Sequence, residues 1–366
     1  MLQRDITMKK HNFNAGPAIL PKSVLREASR SILDLHHSGL SVLEISHRSK
    51  AFESILEETK SLVKELLNLS DDFEVLFLTG GASTQFFMIP MNFLAEHETA
   101  CYTDTGTWAK KAIKEASTFG NVSVVASSAD QNYSHIPKNL KFPKGSKYLH
   151  ITSNNTIYGT EVFKWPKTDL PLVCDMSSDI MSRPIPSEKF SLIYAGAQKN
   201  IGPAGMTMVI IRKSFLEEAM VRDRKIATML DYRTHVKEGS MYNTPPVFPI
   251  YVSMLTMRWI KAQGGLVAME RRAKRRANML YREIDENPMF QGTVAKEDRS
   301  RMNVCFLAAT PQAEAMLSEL CAANGIEGLK GHRSVGGFRA SMYNAMEMGS
   351  VQLLVNLMKE VAAKLG

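Results

Sequence analysis

Val75-Leu76-Phe77-Leu78-Thr79-Gly80-Gly81 decides how the chain folds: an apolar run of strand length stops at a Thr-Gly-Gly turn, and residues 86–94 then take up helical spacing. The same unit of strand, glycine turn and helix recurs in outline. Residues 100–102 read as a strand, followed by Gly106 and a helix from about Trp108. Further short apolar strands are expected at 122–126, 148–152, 172–174, 192–195 and 206–211. Upstream, Phe52, Ile55, Leu56, Leu62, Val63, Leu66 and Leu67 form a stripe at helical spacing behind Ser49, a capping residue, so 49–68 reads as one amphipathic helix. Short strands alternating with helices predict an α/β fold, a mostly parallel sheet covered on both faces.

Beyond Pro245, Pro246 and Pro249 a long helical stretch runs through Gly264-Gly265 to about Asp285, and the pattern then becomes α+β. Strands are expected at 304–307 and 337–341 and helices at 312–323 and 350–364. The boundary between a large first domain, 14–260, and a small α+β domain, 261–366, is placed near 260, with residues 11–22 packing near the active site. The sequence has 366 residues, a length that fits about two domains.

Lys+Arg number 45 and Asp+Glu 37, a net +8, with 44% hydrophobic and 22% charged residues. The balance describes a globular chain. No window approaches the roughly 18–20 apolar residues of a spanning helix, and MLQRDITMKK at the start lacks the apolar stretch of a secretory signal. A soluble cytoplasmic protein without a membrane partner is expected. Cys101, Cys174, Cys305 and Cys321 show no metal-ligand spacing and read as buried thiols. The densest basic run, Arg271, Arg272, Lys274, Arg275 and Arg276, lies in a helical pattern whose apolar side is Leu266, Met269, Ala273, Ala277, Leu280 and Ile284. The basic residues are therefore expected on its solvated face, with no nucleic-acid partner.

The chemistry centres on YAGAQKNIGPAG, residues 194–205. Lys199 sits between an apolar strand and a Gly/Pro turn, where partial desolvation would lower its pKa and make the amine a nucleophile toward aldehydes; a solvated turn lysine is the competing reading. Asp175 ends the buried run 170–174. A carboxylate there needs a cation such as a pyridinium nitrogen, unless it is simply a helix cap. Gly80 to Gln85 join strand to helix and offer backbone amides and hydroxyls suited to a phosphate, a turn of low specificity when taken alone. Thr105-Gly106-Thr107-Trp108 places an aromatic plane at the next junction, or a tryptophan of the core or surface.

This set of lysine, strand-end aspartate, phosphate turn and aromatic plate resembles the fold type I enzymes of pyridoxal 5′-phosphate, and specifically the class V aminotransferases. Residues 11–21 (HNFNAGPAILP), 41–52 (SVLEISHRSKAF), 241–246 (MYNTPP), 299–304 (RSRMNV) and 328–345 (GLKGHRSVGGFRASMYNA) are similar to successive blocks of the phosphoserine aminotransferase family. The resemblance implies a large domain with a mostly parallel seven-stranded sheet plus a smaller C-terminal α+β domain. It implies that Lys199 links to the cofactor and later carries the proton between the substrate α-carbon and the cofactor. It also implies that Asp175 pairs with the pyridinium nitrogen, Trp108 stacks on the ring and Thr156 bonds its phenolic oxygen. Ala82, Ser83 and Gln198 would hold the phosphate, with Asn243 and Thr244 reaching in from a second subunit of a homodimer with shared sites.

For substrates the resemblance implies L-glutamate and 3-phosphohydroxypyruvate, giving 2-oxoglutarate and O-phospho-L-serine in serine biosynthesis. It leaves open action on the phosphorylated hydroxythreonine precursor of vitamin B6. Such a substrate carries a carboxylate and a second anion, and arginines suit both. Arg339 is the candidate for the α-carboxylate, while His47-Arg48 and His332-Arg333 would converge on the distal anion. The sequence departs from the family at Ala82-Ser83-Thr84, which lacks an arginine beside the cofactor, and at Ala15, which lacks a hydroxyl. Three rivals remain: a class V aminotransferase for unphosphorylated acids, a cysteine desulfurase, which needs an exposed nucleophilic cysteine, and a basic nucleic-acid-binding protein.

Overall fold

The computed structural model describes residues 9–221 and 223–366. The reading of the first ten residues as free of a leader therefore lies largely outside the described residues. In chain order the strands are β1 (His11–Asn12), β2 (Phe73–Leu78), β3 (Thr99–Asp104), β4 (Asn121–Ser127), β5 (Leu149–Thr152), β6 (Leu172–Asp175), β7 (Leu192–Gly196), β8 (Thr207–Arg212), β9 (Phe290–Gly292), β10 (Asn303–Ala308), β11 (Ile326–Glu327) and β12 (Phe338–Ser341). The helices are α1 (Lys22–Leu33), α2 (Lys50–Leu67), α3 (Gly81–Phe93), α4 (Thr107–Ala116), α5 (Lys213–Ala219), α6 (Tyr232–Lys237), α7 (Val247–Ala262), α8 (Gly265–Glu286), α9 (Pro311–Ala323) and α10 (Met348–Leu365).

Seven strands form one sheet in the order β2-β8-β7-β6-β5-β3-β4. Only β8 runs against its neighbours β2 and β7; the remaining pairs are parallel. Every residue of β5, β6 and β7 is buried, as expected of strands covered on both faces. One face packs Leu149, Cys174 and Ile193 under α2 and α7, and the other packs Tyr102, Val173 and Tyr194 under α3 and α4. A separate core joins α8, α9 and α10 to the antiparallel sheet β12-β10-β9. Phe13 belongs to this core because β1 pairs with β11, setting His11 beside Ile326.

Capping behaves as the sequence predicts at α2, where the Ser49 hydroxyl accepts from the Phe52 amide at 3.3 Å. The long helical stretch after Pro249 is instead two helices. Gly264 (φ +98°) and Gly265 (φ +68°) take left-handed conformations that end α7 and begin α8. The basic run on α8 also needs a correction. Arg276 is fully buried, with its Nη1 donating to the carbonyls of Asn344 (3.4 Å) and Met346 (2.9 Å), and burial pushes its pKa down to about 10. Position 276 follows Ala273 by three and so belongs to the buried stripe, which a pattern that counts arginine as polar misassigns. No helix among the described residues is long and apolar enough to cross a membrane.

Candidate active site

The candidate site lies where the parallel strands end, the edge at which open α/β sheets gather their ligands. Asp175 is the last residue of β6, Lys199 stands in the turn after β7, Trp108 opens α4 after β3, and Thr156 lies in the loop after β5. The Lys199 Nζ sits 5.9 Å from the centre of the Trp108 ring. The indole Nε1 donates to the Thr156 hydroxyl at 3.0 Å, which fixes the plane of the ring. Gly106 allows this packing: with φ +150°, a Cβ there would come within 3.0 Å of the Tyr158 ring and 3.2 Å of Asn155 Oδ1.

Burial pushes the Lys199 pKa down to about 8, with Arg339 adding to the drop and the charges of Asp175 and Asp179 opposing it. Asp175 is buried, and its Oδ1 accepts the Ser177 amide at 2.9 Å. Burial raises its pKa, while the Ser177 hydroxyl, the Lys199 charge and the Tyr194 hydroxyl hold it back. No ion pair neutralises Asp175 among the described residues.

The N-terminal segment covers the lysine. The Ala18 amide donates to the Gln198 carbonyl at 2.9 Å, and a Cβ on Gly16 would lie 3.4 Å from Lys199 Cγ. Ala15 offers its carbonyl to the Tyr343 hydroxyl at 2.8 Å, a contact for which the missing side-chain hydroxyl is irrelevant.

Arg339, on β12 of the small sheet, reaches the same place. Its Nη1 donates to the Thr156 carbonyl at 3.5 Å, and its buried Nε has no partner. His332 lies close enough to Arg339, Arg333 and Lys111 for their charges to add to burial in lowering its pKa, so one patch holds three cations and a neutral imidazole. Among the described residues no hydrogen bond or ion pair joins the side chain of His47 or Arg48 to Arg339, His332 or Arg333. Asn243 and Thr244 are exposed, and Asn243 lines a cavity of about 130 Å³ with Thr79, Gly80 and Thr84 of its own chain.

The profile of the family described as "Aminotransferase class-V" matches residues 10–354. The phosphoserine aminotransferase of Flavobacterium psychrophilum is 54% identical over 98% of this chain and 100% of its own. The solved phosphoserine aminotransferase from Bacillus circulans subsp. alkalophilus superposes with a TM-score of 0.94 at 43% identity, covering 98% of this chain and 99% of that one. The PLP-bound phosphoserine aminotransferase from Trichomonas vaginalis superposes at 0.91 with 40% identity over 96% and 100%. The chain belongs to the phosphoserine aminotransferase family. It is an aminotransferase of class V, and its cofactor is pyridoxal 5′-phosphate.

The residues present fit that cofactor. Asp175 is a buried carboxylate with no salt-bridge partner among the described residues, and Lys199 is an amine of lowered pKa beside an aromatic face. The turn at Gly80 and Gly81 opens α3 with the unpaired amides of a helix start, next to Ala82 and the exposed hydroxyl of Ser83. The cysteine desulfurase alternative fails on the same structure. All four cysteines are buried, and burial pushes Cys305 and Cys321 up to about 12, far from a thiolate at neutral pH.

Sequence reasoning missed two groups beside these candidate residues. Lys111 lies over the Trp108 ring at 4.7 Å, and its signal was the spacing of three along α4. Behind Asp175, Arg183 pairs with Glu161 at 3.1 Å and Asp179 at 3.3 Å, while the Ser153 hydroxyl bridges Asp179 and the Asp175 carbonyl. Asp179 follows Asp175 by four, but nothing in the sequence points to Glu161.

Proposed function

We propose that this aminotransferase moves an amino group between L-glutamate and 3-phosphohydroxypyruvate, giving 2-oxoglutarate and O-phospho-L-serine. The observation that carries the reading is the cationic patch of Lys111, Arg333 and Arg339, with the imidazole of His332 among them, beside Lys199, which suits a substrate with an anion at each end. The bound cofactor supplies a carbonyl that takes the amino group and a ring that withdraws electrons from the substrate α-carbon.

Lys199 would hold the cofactor and, as a free amine, would take the substrate's α-proton; its lowered pKa, about 8, keeps a useful fraction unprotonated near that pH. Asp175 offers the ring nitrogen a fixed negative charge in a buried setting. Trp108 and Thr156 orient the ring, and Ala82, Ser83, Gln198, Asn243 and Thr244 hold the phosphate. Arg339 takes the α-carboxylate through the guanidinium edge that has no protein partner. His332 and Arg333 take the distal phosphate or the glutamate side chain.

A second copy of the chain completes the set. Leu25, Leu33, Leu40 and Leu43 are 50%, 83%, 50% and 59% exposed, and they directly precede His47-Arg48. Covering them in a homodimer removes an apolar patch from water and seats one protomer's His47-Arg48, Asn243 and Thr244 at its partner's site. Residues 14–260 form the large cofactor domain and 261–366 the small one, with α8 starting in the first core at Leu266 and ending in the second at Ile284. Four free buried thiols suit the cytoplasm.

The test is the initial rate with glutamate as donor and 3-phosphohydroxypyruvate, pyruvate or glyoxylate as acceptor. A kcat/KM for the phosphorylated acid at least about a hundredfold above the others is expected, since removing an anion from a charged pocket costs about 3 kcal/mol. Equal use of pyruvate or glyoxylate would transfer the chain to the unphosphorylated-acid group.

A further inference from the structure

The face of the sheet beneath α3 is not wholly apolar. The register sets Tyr102 beside His150 and Asp175 beside Tyr194. Tyr102 stacks on the His150 ring with centroids 4.7 Å apart, and its hydroxyl meets that of Tyr148 at 2.9 Å. His150 Nε2 lies 2.9 Å from the hydroxyl of Tyr194, the register neighbour of Asp175, and that hydroxyl helps to hold the Asp175 pKa down. All five side chains are buried, where apolar residues of similar volume would pack without the cost of desolvating polar groups.

Burial pushes the His150 pKa down to about 3, so its ring is neutral near pH 7 and carries one proton. Its Nδ1 has no partner. A proton on Nδ1 would leave a buried donor unsatisfied and would turn the Tyr194 hydroxyl toward Nε2, setting its lone pairs against the Asp175 carboxylate. With the proton on Nε2, His150 donates to Tyr194 and Tyr194 donates to Asp175. The second arrangement relieves the repulsion at Asp175 and leaves at Nδ1 a bare acceptor in place of an unsatisfied donor.

We infer that Tyr194 and His150 are positioning residues of the aminotransferase reaction: His150 orients the Tyr194 hydroxyl, and that hydroxyl keeps the Asp175 carboxylate ionised and fixed for the cofactor's ring nitrogen. The inference rests on the reading of Asp175 as the ring-nitrogen partner. The other titratable groups facing Asp175 are Lys199, Asp179 and Cys174, with Arg183 behind Asp179. None of them contacts His150.

The experiment compares wild type, Tyr194→Phe, His150→Gln, the double variant and Tyr148→Phe. Three quantities are read: affinity for added pyridoxal 5′-phosphate, the pH midpoint of the bound cofactor's visible band, and Tm. Loss of a hydrogen bond to a buried carboxylate predicts about tenfold weaker cofactor binding in Tyr194→Phe. The band midpoint moves down, because a less fully ionised Asp175 stabilises the cationic form of the site less. His150→Gln shifts both in the same direction, and adding it to Tyr194→Phe changes neither further. Tyr148→Phe lowers Tm alone.

A Tyr194→Phe protein that loses Tm but keeps affinity and midpoint overturns the inference, as does an additive double variant. If Tyr194→Phe does not fold, His150→Gln decides by the same two readouts. A wild-type protein that takes up no cofactor would refute the reading of the site itself, a result distinct from unchanged variants of a protein that does.

Discussion

Lys199 draws its reactivity from its surroundings. An ordinary lysine titrates near 10.5, whereas burial, helped by Arg339, brings this one to about 8. Below its folded pKa the amine is protonated and inert, so cofactor capture by the apoprotein should rise with pH through a midpoint near 8. Stopped-flow absorbance checks this, and a midpoint near 10.5 would show an amine that is not desolvated. Arg339 gives a second expectation at the same scale. Arg339→Lys keeps the charge but loses the two-pronged fork, which should lower kcat/KM for glutamate by about 10- to 100-fold, equivalent to about 1.5–3 kcal/mol, without weakening cofactor binding. Steady-state kinetics and a cofactor titration measure the two quantities separately. At this scale the sequence was legible where chemistry is local: Lys199, Asp175 and Trp108, read from their motifs, and Thr156, implied by the resemblance, lie at one edge of the sheet. Lys111 and the Glu161–Arg183–Asp179 cluster were not legible, because their partners come from strands and loops whose adjacency only the fold creates.

Elements were read well where period and punctuation agree. The turn after β2 is one case, and it explains why position 80 is glycine. A Cβ there would lie 1.9 Å from the Thr84 hydroxyl in a backbone at φ +94°, whereas Gly81, at φ +68°, has open space. Gly80→Ala should therefore cost more than Gly81→Ala, about 2–3 against about 1 kcal/mol. Thermal unfolding ranks them, and an equal loss of Tm would remove the steric argument. Short elements were missed for a physical reason. Strands β1 and β11 are two residues each and exist only because they pair with one another. The antiparallel direction of β8 was equally hidden, since a buried strand reads the same in either direction.

At the scale of the whole molecule, the proposed homodimer rests on the exposed leucines at positions 25, 33, 40 and 43. Replacing Leu33 and Leu43 by Asp should convert a dimer to monomers in sedimentation velocity and abolish turnover, while the fold, measured by circular dichroism, survives. A monomer with full activity would mean that one chain suffices. The sequence reading had His47-Arg48 and His332-Arg333 converge on one anion, a meeting that depends on tertiary and quaternary placement that no local pattern encodes.

The central claim is that Lys199 and its cofactor pass an amino group from glutamate to a phosphorylated keto acid. Its most direct test is the visible absorption of the holoenzyme through one cycle, with Lys199→Ala alongside. Glutamate should bleach the cofactor band, 3-phosphohydroxypyruvate should restore it in the wild type, and the Lys199→Ala protein should not complete the cycle. Restoration by pyruvate or glyoxylate but not by the phosphorylated acid, or a full cycle without Lys199, would contradict the account.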